Sequence, residues 1–95
     1  MRDYELTVIF SPEIAEEDID ASIEKVSQFI TQKDGVIDEV NRMGRRKLAY
    51  PIINFRDGNY VLIRLKLEPN QAAKLETNLK SWDDVLRYLL VRPEE

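Results

Sequence analysis

The sequence predicts an α+β fold in which a four-stranded antiparallel sheet carries two helices on one face. Hydrophobic residues alternate with polar ones in several segments, which is typical of half-buried strands. In two other segments they are spaced three and four apart, as on one side of a helix. The chain has 95 residues, enough for one hydrophobic core and too few for two. We therefore expect residues 1–95 to form a single domain.

The opening third of the chain predicts the first strand and the first helix. Arg2–Phe10 alternates in hydrophobicity, and Pro12 stops this strand because proline cannot continue a central ladder. The hydrophobic side of the helix that follows is formed by Ile19, Ile23, Val26 and Ile30. Acidic residues crowd the start of the helix, where negative charge suits the helix dipole, and Gly35 lies just beyond its end.

The second and third strands are predicted to form a long ribbon. The second begins at Val36, contains Gly44 as a bend or bulge, and is closed by Pro51. A tight turn is expected at Asp57–Gly58, because this dipeptide is typical of hairpins. The core-facing residues of the third strand are Val61, Ile63, Leu65 and Leu67.

The last third of the chain completes the fold. A second helix is expected to begin near Pro69, with Ala72, Leu75 and Leu79 on its hydrophobic side, and a fourth strand over Val85–Arg92. The order strand–helix–strand–strand–helix–strand is that of two split β-α-β units, the ferredoxin-like arrangement. Right-handed crossovers then place the first and third strands side by side in the centre of the sheet.

One face of this sheet is not covered by the helices of the chain itself. The residues predicted to lie on this open face are Glu5, Thr7, Ile9, Tyr60, Leu62, Arg64, Lys66, Arg87, Leu89 and Val91. The face mixes cationic with aliphatic side chains, so we expect it to contact another molecule.

The composition argues against most enzyme classes. The chain has no cysteine and no histidine, which removes thiolate metal sites, cysteine nucleophiles and the commonest general base. Its three glycines are too few for a phosphate-binding glycine-rich loop. We therefore expect no enzyme activity, no cofactor and no metal. No apolar run reaches the length of a membrane span and the first residues do not resemble a signal peptide, so a cytoplasmic protein is expected.

The charge is unevenly distributed along the chain. The net charge is −4, yet residues 42–67 contain seven basic residues and one acidic residue. The basic cluster consists of Arg42, Arg45, Arg46 and Lys47. Such a cluster suits phosphate groups, which arginine binds in a bidentate manner, and it equally fits an edge strand that charge protects from aggregation.

Three segments resemble the bacterial small-subunit ribosomal protein S6 family: Met1–Glu5, Gly44–Ile52 and Tyr60–Leu62. The central run Gly-Arg-Arg-x-Leu-Ala-Tyr-Pro-Ile is the most specific of them. The resemblance implies a structural constituent of the small ribosomal subunit. It also implies binding to the central domain of small-subunit ribosomal RNA as a heterodimer with ribosomal protein S18, after ribosomal protein S15 has shaped the RNA junction. The chain would be a monomer in isolation.

The resemblance and the assignment of faces together give candidate contact residues. The candidate RNA contacts are Arg2, Arg45, Arg46, Lys47, Arg64 and Arg87. Lys47 and Arg64 rest on the assignment of faces alone, whereas the other four match positions at which the family carries basic residues. The candidate contacts to the partner protein are Tyr60, Leu62, Leu89 and Val91. Residues 80–82 depart from the more basic turn of the family, so no RNA contact is expected there.

An alternative interpretation remains open from the sequence. A small ferredoxin-like regulatory or ligand-binding domain could self-associate through its open sheet face. An acylphosphatase-like enzyme of the same fold is set aside, because the segment 11–14 after the first strand is acidic and contains no glycine.

Overall fold

The computed structural model describes residues 1–52 and 55–93, with side chains at all of these positions except 16, 49–52, 55 and 56. The elements in chain order are β1 Arg2–Phe10, α1 Glu16–Gln32, β2 Val36–Ile52, β3 Phe55–Leu67, α2 Pro69–Ser81 and β4 Val85–Val91. The sheet is antiparallel throughout and has the strand order β2-β3-β1-β4. This confirms the predicted fold class and the central position of β1 and β3.

The hydrophobic core lies between one face of the sheet and the two helices. The sheet contributes alternate residues of β1 and β3, and each helix contributes the side predicted from its spacing. The core residues on the helices, all at most 9% exposed, are Ile19, Ile23, Val26, Ile30, Ala72, Leu75 and Leu79. Because both helices cover the same face, the opposite face is left without a helix. Neither described helix is long and apolar enough to cross a membrane.

The predicted turn at Asp57–Gly58 is wrong. Both residues lie inside β3, where they pair with Lys47 and Arg46, and the two strands stay paired as far as Ile52 and Phe55. Residues 53–54, which connect these strands, lie outside the described residues. A Cβ atom at Gly58 would lie 2.5 Å from Cγ2 of Ile9 and 3.2 Å from the carbonyl oxygen of Phe10. This glycine therefore allows a close approach to β1 and does not form a turn.

The predicted bulge at Gly44 is confirmed. The register of β2 against β3 shifts between Arg42 and Gly44, and Gly44 has a φ of +84°. A side chain is strained in this left-handed region, so glycine is the suitable residue there. The bulge also resets the alternation of β2. Arg42 and Arg45, although three residues apart, therefore lie opposite Val61 and Asn59 on the same face of the sheet.

Candidate RNA and partner interface

Three rows of side chains cross the open face, because residues directly opposite each other in a sheet share a face. The rows are Val91, Glu5, Arg64 and Glu39; Leu89, Thr7, Leu62 and Asn41; and Arg87, Ile9, Tyr60 and Gly44. Lys66 lies beyond the first row, opposite Asp3. The predicted assignment of residues to this face is thereby confirmed.

The middle of the open face is apolar. This apolar centre consists of Ile9, Tyr60, Leu62 and Leu89 around Thr7. Leu89 is 61% exposed and Val91, in the neighbouring row, is 39% exposed, whereas Tyr60 and Leu62 are half-buried. All four candidate partner contacts therefore lie together. Exposed aliphatic side chains grouped on an uncovered sheet face are suited to a protein partner.

Two cations lie among four carboxylates at one end of the face. Arg64 is 3.5 Å from a carboxylate oxygen of Glu5 and 3.6 Å from one of Glu39. Nζ of Lys66 is 2.9 Å from a carboxylate oxygen of Asp38 and 3.5 Å from one of Asp3. We call these six residues the charged end.

The charged end holds more negative than positive charge. The hydrogen bond and charge of Asp38, with a smaller effect of Asp3, raise the pKa of Lys66 above its ordinary value. The same arrangement surrounds the guanidinium of Arg64 with carboxylates, which weighs against a phosphate contact at this candidate residue. Residues Asp38 and Glu39 were not among the residues expected on this face. The alternation of the sequence does not predict their position on this face, because β2 changes register between Ile37 and Glu39.

Three residues of the basic cluster lie at the opposite end of the sheet. Arg45, Arg46 and Lys47 are exposed and pair with Asn59, Gly58 and Asp57; we call these three pairs the basic ribbon. Nη2 of Arg45 donates to the carbonyl oxygen of Pro12 at 2.5 Å, and its Nε is 3.9 Å from a carboxylate oxygen of Asp57. Nε of Arg46 donates to the carbonyl oxygen of Met43 at 3.3 Å.

Alternation places neighbouring arginines of the basic ribbon on different faces. Arg45 lies on the helix side, as does its cross-strand neighbour Asn59, whose amide donates to the carbonyl oxygen of Ser11 at 3.3 Å. Arg46 follows directly and therefore lies on the side of the open face. Arg87, opposite Ile9, lies on that same side and at the same end of the sheet.

The six candidate RNA contacts do not form one patch. Arg2 begins β1 and lies opposite Leu67, whereas Arg45 lies beside the pair of Phe10 with Asn59. About eight strand residues, roughly 27 Å, separate these two ends of the sheet. The structure therefore places four of them at one end, Arg46 and Arg87 on the side of the open face and Arg45 and Lys47 on the helix side. It leaves Arg2 at the other end with Arg64 in between.

A groove of about 720 Å³ adjoins the apolar centre along β4. The side chains of Ile9, Tyr60 and Arg87 line it from the open face, and Lys80 lines it from the end of α2. The neighbouring Trp82 packs against the core, with the ammonium of Lys25 located 5.3 Å from the ring centroid. Residues 80 and 82 thus have different surroundings, and only Lys80 lines the groove. Among the described residues, no group of acidic side chains is arranged to hold a metal ion.

Comparisons with known proteins agree on one family. The family model described as Ribosomal protein S6 matches residues 3–92. The small ribosomal subunit protein bS6 of Clostridium novyi is 41% identical over 95 residues, covering 100% of both chains. The protein of the same name from Moorella thermoacetica is 40% identical over 95 residues, covering 100% of this chain and 97% of its own.

A solved structure extends this agreement to the fold. The crystal structure of ribosomal protein S6 from Thermotoga maritima matches with a TM-score of 0.90 and 33% sequence identity, covering 96% of this chain and 86% of that chain. These relatives bear the name of a structural component of the small ribosomal subunit, a cytoplasmic particle, and not the name of an enzyme. The family predicted from the Gly44–Ile52 motif is confirmed: the chain belongs to the ribosomal protein S6 family of the small ribosomal subunit.

Proposed function

We propose that this chain, acting as a single domain, binds the central domain of small-subunit ribosomal RNA as a heterodimer with ribosomal protein S18. Binding follows the shaping of the RNA junction by ribosomal protein S15. The observation that carries the proposal is the division of the open face into the apolar centre and an adjoining basic end, formed by Arg46 and Arg87. The apolar centre is the contact for the partner protein, and the basic end is the contact for RNA.

The charge distribution supports this division of roles. A chain with a net charge of −4 is poorly suited to capture RNA alone, because phosphate contacts provide most of the affinity of RNA-binding proteins. A partner that adds positive charge beside Arg87 and Arg46 compensates for this deficit. Cooperative binding of the pair follows from this, since each protein alone lacks part of the surface.

The experiment measures binding to a central-domain RNA fragment already loaded with S15, with and without S18. Leu89→Asp places a charge in the apolar centre at a position that is 61% exposed, so the fold tolerates it. We expect this variant to lose the gain in affinity that S18 provides, by about tenfold or more. Val40→Asp is the matched control, because Val40 is 40% exposed but lies opposite Ile63, on the other face.

The RNA contact is tested in the same assay with Arg46→Ala. We expect binding to weaken several-fold and the slope of log affinity against log salt to fall by up to about one unit. Lys74→Ala, an exposed position on α2, is the control. An effect of Leu89→Asp that is as large without S18 as with it would overturn the assigned roles, as would an unchanged salt slope for Arg46→Ala.

A further inference from the structure

The basic ribbon lies where the sheet narrows to two strands. β1 ends at Phe10, which pairs with Asn59, and Asn59 pairs in turn with Arg45. From the next pair onward, Arg46 with Gly58, only β2 and β3 stay paired among the described residues. A ribbon of two strands is marginally stable on its own, so contacts with the rest of the molecule are needed to fix its direction.

The segment that follows β1 provides such contacts at the last pair before the sheet narrows. The side-chain amide of Asn59 donates to the carbonyl oxygen of Ser11 at 3.3 Å. Nη2 of Arg45, opposite Asn59 on β2, donates to the carbonyl oxygen of Pro12 at 2.5 Å. Both strands of the ribbon are therefore bound to two consecutive carbonyl groups. We call these two donors and their two acceptors the clamp.

The acceptor side of the clamp is itself bound to the rest of the fold. The backbone N–H of Ser11 donates to the carbonyl oxygen of Asp84 at 2.9 Å. The hydroxyl of Ser22, on α1, donates to the carboxylate of the same Asp84 at 3.1 Å. Both serines are buried. The clamp therefore connects the basic ribbon to α1 and to the residue directly before β4, which are parts of the molecule that pack against the core.

We infer that Asn59 is a positioning residue for RNA binding: through the clamp it fixes the direction of the basic ribbon, and with it the place of Arg46. This inference rests on the proposed RNA contact of Arg46 and goes beyond it. Asn59 carries no charge and lies on the helix side of the sheet, so it acts on the RNA contact only through the position of the ribbon. Arg45 supports the same clamp from β2.

Loss of the Asn59 amide moves the ribbon without unfolding the protein. The carbonyl oxygen of Ser11 also accepts from the backbone N–H of Ile14 at 3.2 Å, so it keeps a partner when the amide is removed. Removing one group of a hydrogen bond is costly mainly when the other group is left buried and unpaired. The strand pairs of Asn59 use backbone groups, which the substitution leaves in place. The effect is therefore expected in the ribbon and not in the core.

The test measures binding of Asn59→Ala to the S15-loaded central-domain fragment, with S18 present, at a series of salt concentrations. We expect the affinity to fall several-fold, by no more than in Arg46→Ala, and the salt slope to fall by up to about one unit. A substitution that removes no charge lowers this slope only if a cation leaves the RNA, so a loss of stability alone does not produce the effect. In the Arg46→Ala background, Asn59→Ala is expected to change neither quantity further.

Two variants complete the comparison. Thr77→Ala is the matched control, because it removes an uncharged side-chain donor to a backbone carbonyl, that of Ala73 on α2, and it is expected to bind RNA as the unchanged protein does. Asn59→Val also lacks the donor and suits a strand, so it is expected to reproduce Asn59→Ala. Thermal unfolding followed by circular dichroism verifies that the variants are folded.

Backbone hydrogen exchange without RNA tests the clamp independently of RNA binding. In Asn59→Ala, the protected amides of the basic ribbon should exchange faster than in the unchanged protein, whereas those in the middle of β1 should not. Unchanged exchange in the ribbon would overturn the inference, as would an unchanged salt slope or an equal further loss of affinity in the Arg46→Ala background. If the unchanged protein fails to bind the fragment with S18 present, the proposed function fails, and hydrogen exchange still decides whether Asn59 holds the ribbon.

Discussion

Two glycines of the sheet are required for different physical reasons. At Gly58 the space for a side chain is filled, with Cγ2 of Ile9 only 2.5 Å from the position of a Cβ atom. At Gly44 the space is open but the φ of +84° strains any residue with a side chain. Close packing thus requires glycine at position 58, and the backbone conformation requires it at position 44.

These two causes predict opposite responses to substitution by alanine and asparagine. Gly58→Ala should lower the free energy of unfolding by about 1–3 kcal/mol, and Gly58→Asn by more, because the larger side chain needs more room. Gly44→Ala should cost about 1–2 kcal/mol, and Gly44→Asn less, since asparagine tolerates the left-handed region. Urea unfolding of the four variants measures this, and the same ranking at both positions would contradict it.

At the scale of elements, the ion pairs of the charged end connect β1, β2 and β3. The pKa of Lys66 is raised above its ordinary value of 10.5 by Asp38 first and then by Asp3. A lysine whose pKa is higher in the folded than in the unfolded state stabilises the protein at pH values below its pKa in the unfolded state. This contribution disappears as the pH rises through the folded value.

The pH dependence of a Lys66→Gln variant tests this contribution. We expect the variant to be less stable than the unchanged protein at about pH 8, and the difference to shrink as the pH rises above 10.5. Lys74→Gln, on the exposed side of α2, is the control for the loss of a lysine charge. Denaturant unfolding at a series of pH values is the measurement, and a difference that stays constant with pH would count against the ion pairs.

The faces of the strands that pair regularly were predictable from sequence, and the faces of β2 were not. β1 and β3 pair without a register shift from Arg2 to Phe10, so a period of two assigned their faces correctly. β2 changes register at three places, and the shifts after Ile37 and Arg42 each exchange the two faces for the residues that directly follow. For this reason the sequence identified the basic cluster but did not predict that Arg42 and Arg45 share a side or that Asp38 and Glu39 lie at the open face.

Contacts between side chains were the least predictable part of the candidate site. The ion pair of Arg42 with Asp20 joins residues 22 positions apart, and nothing in local spacing relates them. The pairing of Arg64 with Glu5 and Glu39 likewise depends on three strands meeting in one row. The sequence therefore shows where positive charge lies along the chain, but it does not predict how much of this charge is paired with carboxylates in the folded protein.

At the scale of the whole molecule, the exposed apolar centre raises the question of self-association. The alternative interpretation predicts a dimer through this face, whereas the proposed function predicts a monomer until S18 is added. We expect the isolated protein to sediment as a monomer at micromolar concentration, and the equimolar mixture with S18 as a one-to-one complex. A self-associated species that Leu89→Asp disperses would favour the alternative.

The position of β4 in the sheet has a consequence for the order of assembly. β1 is the first strand in the chain and β4 the last, yet β4 pairs with β1 and with no other described strand. During synthesis from the N-terminus, β1 and β3 can pair before β4 has been made, which leaves one edge of β1 unpaired. Leu89 and Val91 reach the open face only when β4 docks. A partner that requires these residues can thus recognise only a chain whose folding is already finished, so that binding itself selects completed molecules.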